Sequence, residues 1–261
     1  MTRNEEQEAY KLKAGLNGFK RKEDKALGIL GDVIQQAKRP ALSFSGGKDS
    51  VVLLDMAVRA GFKGELVFFR YGKPETHETP EENIDLLKYY SSLCNLDYTV
   101  LDCLGETDCW ELCERFTLFP QDEREKKIFR ITNNDFREKV KVHEEERGTD
   151  LQIIGMRKQE SRNRRIMLTV KGPVYSTKQR QALTCCPLVD FSDEDIWAYI
   201  FSRGLKYLSI YDYPFIDRRK NRNEVTLLYN DAVVRHGGMF HFKRMYPEYF
   251  GYIRQRWGDV V

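Results

Sequence analysis

The sequence predicts an α/β protein: a doubly wound, mostly parallel sheet flanked by helices. Short apolar runs recur along the chain, at residues 40–42, 66–69, 98–101 and 151–154, each short enough for a buried strand. The stretches between most of them carry apolar residues at helical spacing, and strands alternating with helices build a parallel sheet covered on both sides. Between the first strand and the helix after it lies a turn rich in glycine and serine, Ser43-Phe44-Ser45-Gly46-Gly47-Lys48-Asp49-Ser50.

In order along the chain, residues 5–16 and 26–37 read as helices, with Ala26, Ile29, Leu30, Val33 and Ile34 on the face that packs. Pro40-Ala41-Leu42 is the first strand and Val51 to Ala57 lies in the next helix. Leu66 to Phe69 is the second strand. Glu81 to Cys94 is a helix that starts near Thr79-Pro80, where proline suits a first helical position. Tyr98 to Leu101 is the third strand, and 107–116 and 133–147 read as helices. Leu151 to Ile154 is the fourth strand, followed by a basic loop, 155–165. Ser192 is suited to cap a helix whose first turn, Asp193-Glu194-Asp195, is acidic, as a helix dipole favours. By itself that stretch reads as structural. The expected organisation is an N-terminal helical segment (1–38), a nucleotide-binding α/β domain (39–202) and a basic, aromatic appendage (203–261).

The glycine turn is the first candidate site. Adjacent glycines open backbone conformations closed to other residues, and the helix beyond presents unpaired N–H groups and a positive dipole end. Together with the hydroxyls of Ser43, Ser45 and Ser50 and the charge of Lys48, they suit a phosphate. Gly46, Gly47 and Asp49 complete that set. An ordinary capped turn, with Ser45 or Asp49 as the cap, is the alternative. Ligands of such sheets sit beyond the carboxyl ends of the strands, so the loop after the fourth strand belongs to the same edge. It supplies Gly155, Arg157, Glu160 and Arg162, with the arginines as donors to phosphate or to developing negative charge. Glu160 either orients an arginine or binds Mg²⁺. Its plainer reading is a solvated basic loop.

The bulk composition sets limits. The 261 residues contain 43 Lys plus Arg against 40 Asp plus Glu, so net charge alone does not imply a nucleic-acid partner. No apolar run reaches the length of a membrane span and the first 25 residues are charged, so the expectation is a cytoplasmic protein with reduced cysteines and no membrane partner. Residues 218–257 interleave arginine, lysine and histidine with aromatics, a mixture suited to a nucleic-acid backbone or to a packed helical tail.

The turn at 43–50 resembles the phosphate loop of the PP-loop ATP pyrophosphatases, whose motif is Ser-Gly-Gly-x-Asp-Ser. Gly155, Arg157, Glu160, Ser161 and Arg164 are similar to the second motif of the phosphoadenosine-phosphosulfate (PAPS) reductase-like branch. Pro187-Leu188-Val189-Asp190-Phe191-Ser192-Asp193-Glu194-Asp195-Ile196-Trp197 resembles its third signature. The resemblance implies binding of ATP with Mg²⁺ and cleavage to AMP and pyrophosphate. Lys48, Asp49, Arg157 and Arg162 would be catalytic, with Asp49 the candidate magnesium ligand.

Departures from the branch narrow the reading. Its reductases carry a catalytic cysteine late in the chain, and no cysteine follows Cys186 here. Relatives that bind an iron–sulfur cluster add a later Cys-x-x-Cys to a Cys-Cys pair. Here Cys185-Cys186 stands without it, and Cys109 and Cys113 could join it only at irregular spacing. The branch's aspartate after the second strand is replaced by Arg70-Tyr71-Gly72-Lys73. Among the relatives, the missing reductase thiol together with the basic tail points to the ATP pyrophosphatase of a DNA phosphorothioation system. The implied partners are ATP, DNA, a sulfur donor such as a cysteine desulfurase, and further copies of the chain in a homo-oligomer. The competing readings are a sulfonucleotide reductase and a non-catalytic nucleotide- or DNA-binding subunit.

Overall fold

The computed structural model describes residues 3–71, 81–103, 136–178, 180–212, 243–244 and 247–257. In chain order the elements are α1 (Arg3–Ala14), α2 (Asn17–Gln36), β1 (Pro40–Ser43), α3 (Lys48–Arg59), β2 (Glu65–Tyr71), α4 (Glu81–Cys94) and β3 (Tyr98–Cys103). Then come α5 (residues 136–147), β4 (Leu151–Ile153), α6 (Arg162–Lys171), β5 (Val174–Tyr175), β6 (Leu183–Cys185), α7 (Asp193–Arg203) and α8 (Pro247–Trp257). The expected helix at 107–116, Cys109, Cys113, Gly72 and Lys73 lie outside the described residues, as does residue 213–242 of the tail.

Six strands form one sheet in the order β3-β2-β1-β4-β6-β5. β1 runs parallel to β2 and to β4, and β4 runs parallel to β6; the edge strand β5 is antiparallel to its neighbour β6. The doubly wound, mostly parallel sheet is therefore as the sequence indicates. From β1 the chain winds outward through β2 and β3, then returns to place β4 on the other flank of β1. The strand order thus reverses between β1 and β4, which opens a crevice at the carboxyl ends of those two strands. β5 and β6 are not legible as strands, because two or three residues are too few to show a period.

Contacts divide the chain into two compact units. The first, Met1–Phe68 with Asp85–Thr99 and Lys141–Leu208, holds the main core. Leu42, Val51 to Leu54, Leu66, Phe68, Ile153 and Trp197 are all fully buried there. The N-terminal helices belong to this unit: α1 lies against α7, and α2 against α3. Tyr10 stacks on Phe201 with centroids 5.7 Å apart, and Phe19 meets Phe191 edge-on at 6.1 Å. Around those rings Lys13 pairs with Glu194 at 2.6 Å, Lys22 with Asp195 at 2.6 Å and Lys25 with Asp190 at 2.7 Å. α3 is tied to α7 through Asp55, which accepts from Tyr199 Oη and from Arg203 Nε, both at 2.6 Å. The second unit is Phe69–Ile84, Val100–Val140 and Ser209–Val261. Within it Arg70 grips Asp102 with two hydrogen bonds, of 2.5 and 2.9 Å. Phe69 packs on Phe136, and Glu82 accepts from the backbone N–H and the hydroxyl of Ser209.

Candidate functional site

The loop between β1 and α3 has a backbone that only its sequence permits. Gly46 sits at φ 76°, a left-handed conformation closed to most side chains, and Gly47 at φ −66° and ψ 156° is the N-cap of α3. A glycine cap has no side chain, so neither Ser45 nor Asp49 fills the position, and no side chain caps the N-terminus of α3. The serines brace the turn. Ser50 Oγ donates to Gly47 O at 2.8 Å, while Gly47 N donates to Ser45 Oγ at 3.3 Å. Ser43, at the end of β1, accepts from buried Gln152 Nε2 at 2.9 Å, which joins the neighbouring strand β4 to the loop.

The loop after β4 closes on this turn from the other side. A Cβ added at Gly155 would meet the backbone and Cβ of Asp49 at 3.5 Å, so the two loops lie in contact. Two residues on, Arg157 is 2% exposed and Lys48 is likewise 2% exposed. Two buried cations require counter-charge. Asp49 lies 3.0 Å from Lys48 Nζ and 2.6 Å from Arg157 Nε; Asp193 lies 3.2 Å from Lys48 Nζ and 2.7 Å from Arg157 Nη2. Burial works against the charge on Arg157, but the carboxylates of Asp49 and Asp193 outweigh it and hold its pKa above the ordinary guanidinium value. The approach of Nε to Asp49 Oδ1 is a close charge contact without hydrogen-bond alignment. Both atoms are buried there with that capacity unspent.

Glu160 acts as an orienting residue. It accepts from Arg157 N at 2.9 Å and pairs with Arg164 Nη1, closing a single 3₁₀ turn at Lys158–Glu160. Ser161 then caps α6 by accepting from Arg164 N at 3.2 Å. Residues 162–165 of the basic stretch read as loop are thus the first turn of a helix. Arg162, its first residue, is exposed and stands outside the Lys48–Asp49–Arg157–Asp193 cluster. The structure accordingly brings together Ser43, Ser45, Gly46, Gly47, Lys48, Asp49, Ser50, Gly155, Arg157 and Glu160. It adds Asp193 and Gln152, which pattern reading missed. Asp193 looks like any first-turn acid, and its task depends on which cations the fold sets opposite it.

Asp49 and Asp193 each spend their carboxylates on both cations, so Mg²⁺ at this cradle would be held chiefly by phosphate oxygens. Among the described residues, no group of three or more His, Cys, Asp or Glu has metal-site geometry. Cys185 and Cys186 are buried free thiols. Burial, with a mutual charge effect at Cys185, pushes both up to about 12. Cys186, Leu168 and Val189 form a small apolar cluster under α6.

No helix among the described residues is long and apolar enough to cross a membrane. Over 208 residues the chain is 28% identical to sulfate adenylyltransferase subunit 2 of Mycolicibacterium gilvum, covering 72% of this chain and 63% of that protein. It is 28% identical over 198 residues to an uncharacterised protein of Methanocaldococcus jannaschii, covering 74% of this chain and 38% of the relative. The chain therefore spans less than two thirds of the length of these relatives. In structure it resembles the PAPS reductase of Candida auris solved as a phosphate complex, with a TM-score of 0.52 at 14% identity, over 81% of this chain and 92% of the other. Residues 39–217 match the phosphoadenosine phosphosulfate reductase domain, a span holding both loops of the cradle and Asp193, and the chain belongs to that family.

Proposed function

We propose that the protein is an ATP pyrophosphatase: it binds ATP with Mg²⁺ in the crevice between β1 and β4, cleaves it to AMP and pyrophosphate, and adenylates an acceptor. The observation that carries this reading is the buried Lys48–Arg157 pair, set at the N-terminus of α3 and facing the carboxylates of Asp49 and Asp193. Preorganised cations of this kind stabilise charge that develops on phosphate oxygens. The Gly46–Gly47 turn and Lys48 receive the β- and γ-phosphates, and Arg157 offsets charge at the α-phosphate. An acceptor oxygen forms a bond to the α-phosphorus while the bond from that phosphorus to the bridging oxygen of pyrophosphate breaks. The electron pair leaves with pyrophosphate, next to Lys48. Bound magnesium supplies further neutralisation of the phosphates. Similarity to a protein named as a sulfate adenylyltransferase subunit supports adenylyl transfer.

For the acceptor, the reading is the DNA backbone in a sulfur-for-oxygen modification, supported by the basic and aromatic composition of residues 218–257. Adenylation would turn a backbone phosphate oxygen into a leaving group for sulfur delivered by a partner such as a cysteine desulfurase. The reductase alternative needs a thiolate nucleophile, and burial of Cys185 and Cys186 withholds it from both near neutral pH. The test is pyrophosphate release from ATP and Mg²⁺ by wild type, Lys48→Ala and Ser45→Ala, with and without DNA. Release lost in Lys48→Ala and reduced in Ser45→Ala is expected. Equal release by all three removes the assigned roles, and sulfite release from PAPS would favour the reductase.

A further inference from the structure

At the opposite edge of the sheet the starts of β1 and β2 frame a second cavity, of 660 Å³. Its lining includes Lys38, Arg39, Lys63 and Arg147, four cations against the two carboxylates of Glu65 and Asp97. We propose that this cavity is a second anion site, and that it holds the linked phosphates of a nucleic-acid backbone. The placement of Arg39 and Arg147 is built into the fold. Asp150 accepts from the backbone N–H groups of Lys38 and Arg39 at 2.7 and 3.0 Å, which fixes the chain at the mouth of β1. Arg39 Nη1 donates to Arg147 O at 2.8 Å, and its guanidinium lies against Gly148. Gly64 lets β2 start hard against β1: a Cβ there would fall 1.8 Å from Pro40 O.

The acids cancel only part of this charge. Glu65 accepts from Thr99 Oγ1 and lies 3.6 Å from Arg147 Nη2, and Asp97 is exposed, so four cations against two carboxylates leave the lining a net charge of +2. Lys38 and Lys63 are exposed at the rim. Ser91, Ser92, Asn95 and Thr149 add hydrogen-bonding groups, and among the described residues no aromatic side chain lines the cavity. That composition grips phosphate oxygens and offers no platform for stacking a base, so recognition would be of the backbone and independent of sequence. Pro40 at the cavity and Ser43 at the cradle lie at opposite ends of β1, about 10 Å apart along the strand, so the two are different sites.

The experiment measures binding of a fluorescent short DNA duplex by anisotropy across a salt series, with ATP absent, so it stands apart from the proposed turnover. Lys38→Ala/Lys63→Ala is compared with Lys20→Ala/Arg21→Ala, which removes the same charge from exposed positions on α2. Loss of two phosphate contacts lowers the slope of log affinity against log salt by about 1.8 in the cavity variant, and by much less in the α2 variant. Pyrophosphate release without DNA stays at the wild-type rate in both. Equal slopes in wild type and the cavity variant, or equal losses in the two variants, overturn the proposal. Inorganic tripolyphosphate serves as the second ligand. Binding of it that is lost in the cavity variant, with DNA binding unchanged, overturns the assignment to a backbone in favour of a free oligophosphate.

Discussion

Asp193→Asn is the most informative single change in this protein. The cluster of Lys48, Arg157, Asp49 and Asp193 is neutral as it stands, and the substitution leaves it with one excess positive charge in a site where both cations are 2% exposed. Breaking a buried ion pair by removing one partner costs roughly 3–5 kcal/mol. Three features reduce that here. Asparagine keeps an oxygen that can accept from Arg157, Asp49 still faces both cations, and Arg157 also donates to Phe191 O at 3.4 Å. The Asp193 side chain is moreover 24% exposed, so water screens part of its charge. We expect a loss of about 2 kcal/mol, which for a chain of this size is about 4–8 °C in Tm. The kinetic consequence has a different sign. The extra positive charge holds or tightens ATP binding, while Arg157, freed on one side, loses its position. A misplacement of about 1 Å can cost on the order of 100-fold in rate, so kcat falls and KM does not rise. Thermal denaturation, ATP titration by calorimetry and pyrophosphate release together read all three quantities. A variant with wild-type Tm and kcat would refute the role of Asp193 as the residue that positions Arg157. A fall in activity explained wholly by lost ATP affinity would refute it as well.

Gly46→Ala forces a side chain into a left-handed backbone, at a cost of about 1–2 kcal/mol. Lower Tm together with weaker ATP binding is expected, and unchanged melting with unchanged affinity would show that the turn does not need its present conformation. Cys185 and Cys186, both pushed up to about 12, should resist iodoacetamide in the native protein at pH 8 and react once it is denatured. The same shift makes stability depend on pH. The folded state keeps these protons while the unfolded chain loses them, so stability is intact below about pH 9 and declines between about 9 and 12. Native labelling of Cys186 as fast as in the denatured chain would contradict both statements.

Much of the fold is legible in the chain because each signal is local. β1, β2, β3 and β4 are short apolar runs, and Glu81 to Cys94 is helical over the span its periodicity indicates. The Gly46–Gly47 turn announces itself because only glycine is free to make it. Ser192 caps α7 through Asp195, as a serine three residues before an acid should. What pattern alone does not separate is a basic loop from a basic first helical turn: Arg157 and Arg162 look equivalent in the sequence, and one is buried while the other is exposed. The strand pair β5 and β6 is likewise silent, since edge pairing depends on a neighbour that arrives from elsewhere in the chain.

Local chemistry therefore settled the order of strands and helices, the bend that frees a helix N-terminus, and the kinds of side chain available to meet an anion. The reversal of strand order around β1, the burial of Lys48 beside Arg157, and the use of the first-turn acid Asp193 as their shared counter-ion were decided only when residues more than a hundred positions apart met. Charge cancellation in a dry interior depends on distance through space, and separation along the chain does not encode it.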